Sequence, residues 1–221
     1  MKTLRHRKQS STKRNIKTAK QTEYLNKLKT LYPFCKHDNT GEDKSLYAQH
    51  KITYGEMSYE GIELLYQYVL TNCFHILPHC FIDIGSGRGK LCLYMAEKSN
   101  IEQVVGIELV KSRYDDAIKL KEDLKTDSYT KKVEFYNSNI FDLSLRKIIG
   151  TSPIFIWFSN LCFESSNTDA IFNKIVDELP LGSIICCSKI PTNNENCVIK
   201  NTIVIPMSWS NNSNVYVYQT C

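Results

Sequence analysis

Five residues stand at a spacing that implies ligand chemistry. In Phe81-Ile82-Asp83-Ile84-Gly85-Ser86-Gly87-Arg88-Gly89, an acid precedes three alternating glycines by two positions. Glycine adopts positive φ and lets backbone approach a ligand closely. A helix that starts after such a turn aims its free N–H groups and positive dipole end at that ligand. Glu108 follows 21 residues after Gly87, where a strand-end carboxylate can accept both hydroxyls of a ribose. Two ligand classes compete for this pattern. A dinucleotide site wants glycine at relative positions one, three and six, and position six is Lys90. S-adenosyl-L-methionine has no pyrophosphate but carries an ammonium, which Asp83 can meet directly or through water, so it matches better. Asn139 follows a later strand, where an amide or acid receives the adenine amino group, and Ile140 or Phe141 can cover the ring.

These residues need a scaffold that joins a strand end, a tight turn and a helix start. The apolar pattern predicts strands over 80–84, 104–108, 133–137, 154–158 and 183–188, and a closing hairpin over 198–204 and 215–218. Helical spacing predicts helices over 90–97, 111–125 and 168–179, the second with Tyr114, Ala117, Ile118 and Leu124 inward. Upstream, residues 22–34 read as a short helix facing inward through Tyr24, Leu28 and Leu31. Ser58 suits the N-cap of a helix that carries Ile62, Leu65, Tyr66 and Val69. Strands alternating with helices predict an α/β, doubly wound, Rossmann-like sheet, mostly parallel with a C-terminal antiparallel hairpin. The expected organisation is a disordered basic tail (1–21), an N-terminal helix with a lid loop (22–57), and one catalytic domain (58–221).

At 221 residues the chain can bury one good core. No apolar run approaches the roughly 20 residues that span a bilayer, so no membrane partner is expected. Nine cysteines without CxxC spacing imply reduced thiols and an intracellular protein. The histidines lack ligand spacing, so no metal is assigned. Charge is uneven. Eight cations precede the first acid, Glu23, so a tail of +8 accounts for the net +5 and leaves −3 on the rest. Such a block contacts nucleic acid, serves as a nuclear address or acts as a solvated solubility tail.

Tyr54-Gly55-Glu56 with its following helix, Phe81–Leu91, Gly106-Ile107-Glu108-Leu109, Asn160-Leu161-Cys162-Phe163, Ser188-Lys189 and Ser208-Trp209 followed by Tyr216 run in one order across residues 45–221. Together they resemble the disruptor-of-telomeric-silencing (Dot-one-like) family, histone-lysine N-methyltransferases that lack a SET domain. The resemblance implies a class I methyltransferase fold, S-adenosyl-L-methionine as cofactor, and a nucleosomal core histone as substrate. It also implies a nucleus or another chromatin-containing compartment, with the basic tail gripping DNA. Tyr54 and Glu56 would close over the methionine part of the cofactor, beside Lys90. Ser159, Asn160 and Leu161 would floor the point where methyl donor meets lysine, and Trp209 and Tyr216 would wall the lysine channel. A narrow aromatic sleeve suits an aliphatic stem and excludes water from its amine. Trp209 and Tyr216 also fit as core aromatics of the hairpin.

The chain departs from the family at Lys90, where Gln is usual, at Ser159 where an Asn pair is usual, and at Asn139 where an acid is usual. A monomer is expected. Alternative functions are lysine methylation of a non-histone protein, or amino-methylation of nucleic acid. For the latter, Ser159-Asn160-Leu161-Cys162 lacks the two prolines that shape a base pocket.

Overall fold

In the computed structural model, residues 22–33, 47, 53–73, 78–125, 128–192 and 195–221 are described. The basic tail 1–21 and most of the expected lid loop lie outside the described residues. Residues 22–31 form α1. Then come α2 (Tyr59–Asn72), β1 (Cys80–Ile84), α3 (Lys90–Lys98), β2 (Gln103–Glu108), α4 (Lys111–Asp123), β3 (Val133–Asn137) and α5 (Leu145–Ile148). They are followed by β4 (Phe155–Phe158), α6 (Ser165–Glu178), β5 (Ile184–Cys187), β6 (Cys197–Ile205) and β7 (Ser213–Thr220).

The strands form one sheet in the order β3-β2-β1-β4-β5-β7-β6. β3, β2, β1, β4 and β5 pair in parallel, and β7 runs antiparallel between β5 and β6. This is the doubly wound sheet with a closing hairpin that the sequence predicts. β1, β4 and β5 are buried at every position, as strands covered on both faces must be. Their alternation splits the core: Phe81 and Phe155 face α1, α2 and α3, while Ile82, Ile156 and Phe158 face α5 and α6. The chain reverses direction across the sheet between β1 and β4, and ligands of open α/β sheets bind beyond the strand ends at such a switch point.

Local signals explain most element ends. Ser58 caps α2, its hydroxyl accepting from the Gly61 N–H at 2.9 Å. α1 differs from expectation on its inner face. Tyr24, Leu28 and Tyr32 are buried, whereas Leu31 is 43% exposed. Residues four apart stack on one helical face, and that register selects Tyr32. α4 is also rotated: Arg113, Ala117, Leu120 and the following Leu124 are buried, while Tyr114 and Ile118 are half-buried. α1 packs on the same core as the sheet, and the Tyr24 hydroxyl donates to the Leu93 carbonyl at 3.1 Å.

Candidate active site

The turn after β1 folds back on β2, where the Gly85 and Ser86 N–H groups donate to the Ile107 carbonyl at 2.9 and 3.0 Å. Gly85 has φ +78°, and a Cβ there would meet nothing within 4 Å, so its backbone is open to a ligand. Gly106 does the opposite job. A Cβ on it would lie 2.5 Å from the Phe135 ring and 2.8 Å from Ser86 Oγ, so only glycine lets the turn lie this close to β2. α3 begins at Lys90 with no side-chain cap on its first N–H groups. A cavity of about 530 Å³ opens here, bounded by this turn, the ends of β2 and β4, residues 138–141, Thr53–Met57 and Met207–Trp209.

Two buried acids set its electrostatics. Glu108 Oε2 accepts the Gly87 N–H at 2.7 Å and Oε1 accepts the Val110 N–H at 2.8 Å. Both oxygens are thereby fixed, and a carboxylate oxygen has capacity for a further donor. Burial raises the Glu108 pKa, opposed by the Val110 N–H, Arg113 and the Gly87 N–H. Asp83 is buried more harshly. Its Oδ2 meets only the Cys92 thiol, at 3.8 Å, and its Oδ1 has no hydrogen-bond partner among the described residues. Burial, then the charge of Glu108, pushes its carboxyl up to about 8. An unpartnered carboxyl oxygen on a cavity wall fits a cationic ligand, which would complete the hydrogen bond and restore the charged form.

A second cluster closes the other side. Lys90 Nζ lies 2.7 Å from Glu56 Oε2, both side chains being 5% exposed. Tyr32 donates to Glu56 Oε1 at 2.6 Å, Tyr54 also donates to that oxygen, and the two hydroxyls lie 2.7 Å apart. The Arg113 guanidinium stands 4.9 Å from the Tyr54 ring centre. The Tyr54 ring packs over Gly87. Tyr54, Glu56, Asp83, Gly85, Gly87, Lys90, Glu108, Asn139 and Ile140 all line the one cavity.

At one end of the cavity, Asn139 Oδ1 accepts the Phe141 N–H at 3.1 Å. Ile140 is 5% exposed and belongs to the core, whereas Phe141 is 48% exposed. The ring with a free face is therefore Phe141. At the opposite end, Ser159, Leu161 and Trp209 line the cavity, but Asn160 and Tyr216 do not. Asn160 is fully buried: Oδ1 accepts from Ser188 N and Lys189 N at 2.9 and 2.8 Å, and Nδ2 donates to Lys189 O at 2.9 Å. It staples the turn after β4 to the turn after β5. Tyr216 pairs with Cys187 and packs, half-buried, against the cluster beneath α6. Sequence reasoning missed Tyr32 and Arg113. Tyr32 was open to discovery through its helical register with Tyr24 and Leu28, while Arg113 has no local signal in a lysine-rich helix.

The residues present fit an adenosyl amino acid: a fixed carboxylate for a diol, an acid with one unpartnered oxygen for an ammonium, an open turn between them, and an exposed ring. No trio of His, Cys, Asp or Glu side chains that could hold a metal occurs among the described residues.

Several solved structures share the architecture. One is an RNA methyltransferase from Salinibacter ruber in complex with S-adenosyl-L-homocysteine, at 14% identity over 74% of this chain and 91% of that one, with TM-score 0.52. The putative methyltransferase yhhF from Escherichia coli matches at 14% identity over 74% and 88% of the two chains, TM-score 0.55. M. capricolum TrmK, in complex with S-adenosyl-homocysteine, matches at 16% identity over 75% and 68%, TM-score 0.51. At such identities the likeness is one of fold, a Rossmann-like methyltransferase sheet. A comparison with curated proteins finds no significant match. Residues 40–215 match the family described as histone methylation protein DOT1. That span takes in Tyr54-Gly55-Glu56, Asp83, Glu108 and Trp209, and the chain therefore belongs to the DOT1 histone methylation family as a methyltransferase.

Proposed function

We propose that this methyltransferase uses S-adenosyl-L-methionine to methylate the ε-amine of a lysine in a nucleosomal core histone, acting as a monomer in a chromatin-containing compartment such as the nucleus. The observation that carries the reading is the interlock of Tyr54-Gly55-Glu56 with Met207–Trp209. Glu56 N donates to Ser208 Oγ at 3.0 Å, Ser208 N donates to Glu56 O at 2.7 Å, and Met57 bridges Met207. The Trp209 ring sits where a Gly55 Cβ would be 2.4 Å from it. An aromatic wall is thus built onto the lid segment, with Ser159 and Leu161 lining the same cavity.

When bound, the cofactor supplies an electrophilic methyl group on a cationic sulfur. Asp83 would hold its ammonium, Glu108 its ribose hydroxyls, and Asn139 with Ile140 and Phe141 its adenine. Tyr54, Glu56 and Lys90 would enclose its amino-acid end. Trp209, Leu161 and Ser159 would orient the lysine stem and exclude water, so catalysis rests on positioning more than on a strong base. A free lysine has a pKa of about 10.4, and desolvation in an apolar sleeve lowers it toward the neutral amine that displacement requires. The tail's eight cations would bind nucleosomal DNA. No helix among the described residues is long and apolar enough to cross a membrane.

The test is incubation with methyl-labelled cofactor and, separately, nucleosomes, free histones, cell-extract protein and RNA, read by mass spectrometry. Label on a histone lysine is the expected result. Label confined to RNA or to non-histone protein would overturn the histone reading while keeping the methyltransferase.

A further inference from the structure

We infer that Tyr32 is a positioning residue of the cofactor cleft, so that α1 is a working part of the site. The inference rests on the reading of the cavity as the S-adenosylmethionine site.

α1 is anchored far from the cavity. Tyr24 and Leu28 enter the core, the Tyr24 ring lies 5.6 Å from Tyr129, and the Tyr24 hydroxyl is held by Leu93 O at 3.1 Å. Two helical turns on, the chain delivers Tyr32, whose N–H closes on the Leu28 carbonyl at 2.8 Å. Its carbonyl accepts from the Tyr59 hydroxyl at 2.9 Å, which ties the end of α1 to the start of α2. Its ring lies under the Arg88 guanidinium, 4.7 Å from the centre. The hydroxyl then reaches Glu56 Oε1, 2.6 Å away, within the triangle it forms with the Tyr54 hydroxyl. Three oxygens share two protons, so the position of any one fixes the other two. Lys90 holds the second carboxylate oxygen. Glu56 and Tyr54 line the cavity, while Tyr32 does not. Tyr32 therefore acts through them, setting the Glu56 rotamer and the tilt of the Tyr54 ring over Gly87. Without that hydroxyl, Tyr54 and Glu56 keep their bond to each other and the Lys90 contact but lose the tie to α1, and the wall is held less firmly. The cost falls on holding the cofactor and not on the transfer step.

The experiment compares Tyr32→Phe with Tyr24→Phe in the full chain. Tyr32→Phe removes one hydroxyl and keeps the ring beneath Arg88. Tyr24→Phe removes an α1 hydroxyl that bonds the Leu93 carbonyl and takes no part in the Glu56 triangle. Calorimetric titration with S-adenosylhomocysteine should show Tyr32→Phe about tenfold weaker than wild type, the scale of one charge-assisted bond. Tyr24→Phe should bind within twofold of wild type even where its thermal midpoint falls further. With labelled cofactor, Tyr32→Phe should raise the cofactor KM and leave kcat within twofold. Adding Glu56→Gln to Tyr32→Phe should cost less than the two single losses combined, because both act on one contact. Tyr32→Phe affinity within twofold of wild type, equal losses in the two tyrosine variants, or strict additivity with Glu56→Gln would overturn the inference. Failure of the wild type to bind S-adenosylhomocysteine would instead sink the cofactor reading beneath it.

Discussion

At the scale of single residues, Asp83 makes the sharpest demand on experiment. Its carboxyl is pushed up to about 8, against an ordinary 3.8, so at neutral pH the free protein holds a proton there that a cationic ligand must displace. Affinity for S-adenosylmethionine should therefore rise with pH below about 8 and fall again above it, where the ligand's own α-ammonium, ordinarily about 7.7–8.0, loses its proton. Calorimetry at pH 7 in buffers of different ionisation enthalpy should register net release of protons on binding. The folding consequence has the same origin and its own sign. A folded pKa above the unfolded one means that the ligand-free fold loses stability as pH rises from about 4 to 8. Asp83→Asn should abolish both pH dependences, and a flat affinity profile in the wild type would refute the assignment. That Asp83, Gly85, Gly87 and Glu108 meet at one cavity was legible in the sequence, because two adjacent strand ends and one turn bring them together. Asn160 was legible as a marker but not as to role. Whether its amide faces the cavity or the Ser188-Lys189 backbone depends on how β4 and β5 pair, which no local spacing encodes.

Elements were read more reliably than their faces. Strands buried on both sides announce themselves as apolar runs, so β1 matched at both ends and β4 and β5 differed by a residue at one or both ends, while the half-exposed edge strand β3 also matched. The inner face of α1 was misread because Leu31 looks more apolar than Tyr32, yet the register with Tyr24 and Leu28 decides which is buried. Two expectations belong at this scale. Asn160→Ala removes three buried or part-buried hydrogen bonds that staple the turn after β4 to the turn after β5, and should destabilise the fold by about 2–4 kcal/mol. At this chain length each kcal/mol lowers the thermal midpoint by about 2–4 °C. A midpoint unchanged in Asn160→Ala would show that the staple is dispensable. Gly106→Ala forces a methyl into the Phe135 ring and Ser86 Oγ, and should cost about 1–3 kcal/mol. Because Ser86 belongs to the glycine turn, that variant should also lose cofactor affinity. Normal cofactor binding by a folded Gly106→Ala protein would mean that the turn tolerates displacement from β2.

Over the whole molecule, charge separates two tasks. The residues after the tail carry a net −3, and the first 21 carry +8. Deleting residues 1–21 should leave the thermal midpoint and cofactor affinity within error, since a charged segment without apolar periodicity adds nothing to a core. Nucleosome binding should weaken, and if about four cations meet phosphates, the log–log salt slope should become shallower by about 3.6. Equal slopes for the two proteins would reduce the tail to a solubility or targeting segment. The doubly wound, mostly parallel sheet with its antiparallel hairpin was foreseeable from alternating strands and helices. The joining of α1, residues 54–56 and the hairpin into one wall was not, because it depends on non-local contacts, Tyr32 with Glu56 24 residues on and Glu56 with Ser208 152 residues on. Every role assigned to that wall depends on S-adenosylmethionine occupying the cleft. Isothermal calorimetry on the full chain tests this most directly: the wild type should bind one equivalent, and Glu108→Ala should bind about 2–3 kcal/mol more weakly. A wild type that ignores S-adenosylmethionine or takes up NAD tightly, or a folded Glu108→Ala variant of undiminished affinity, would contradict it.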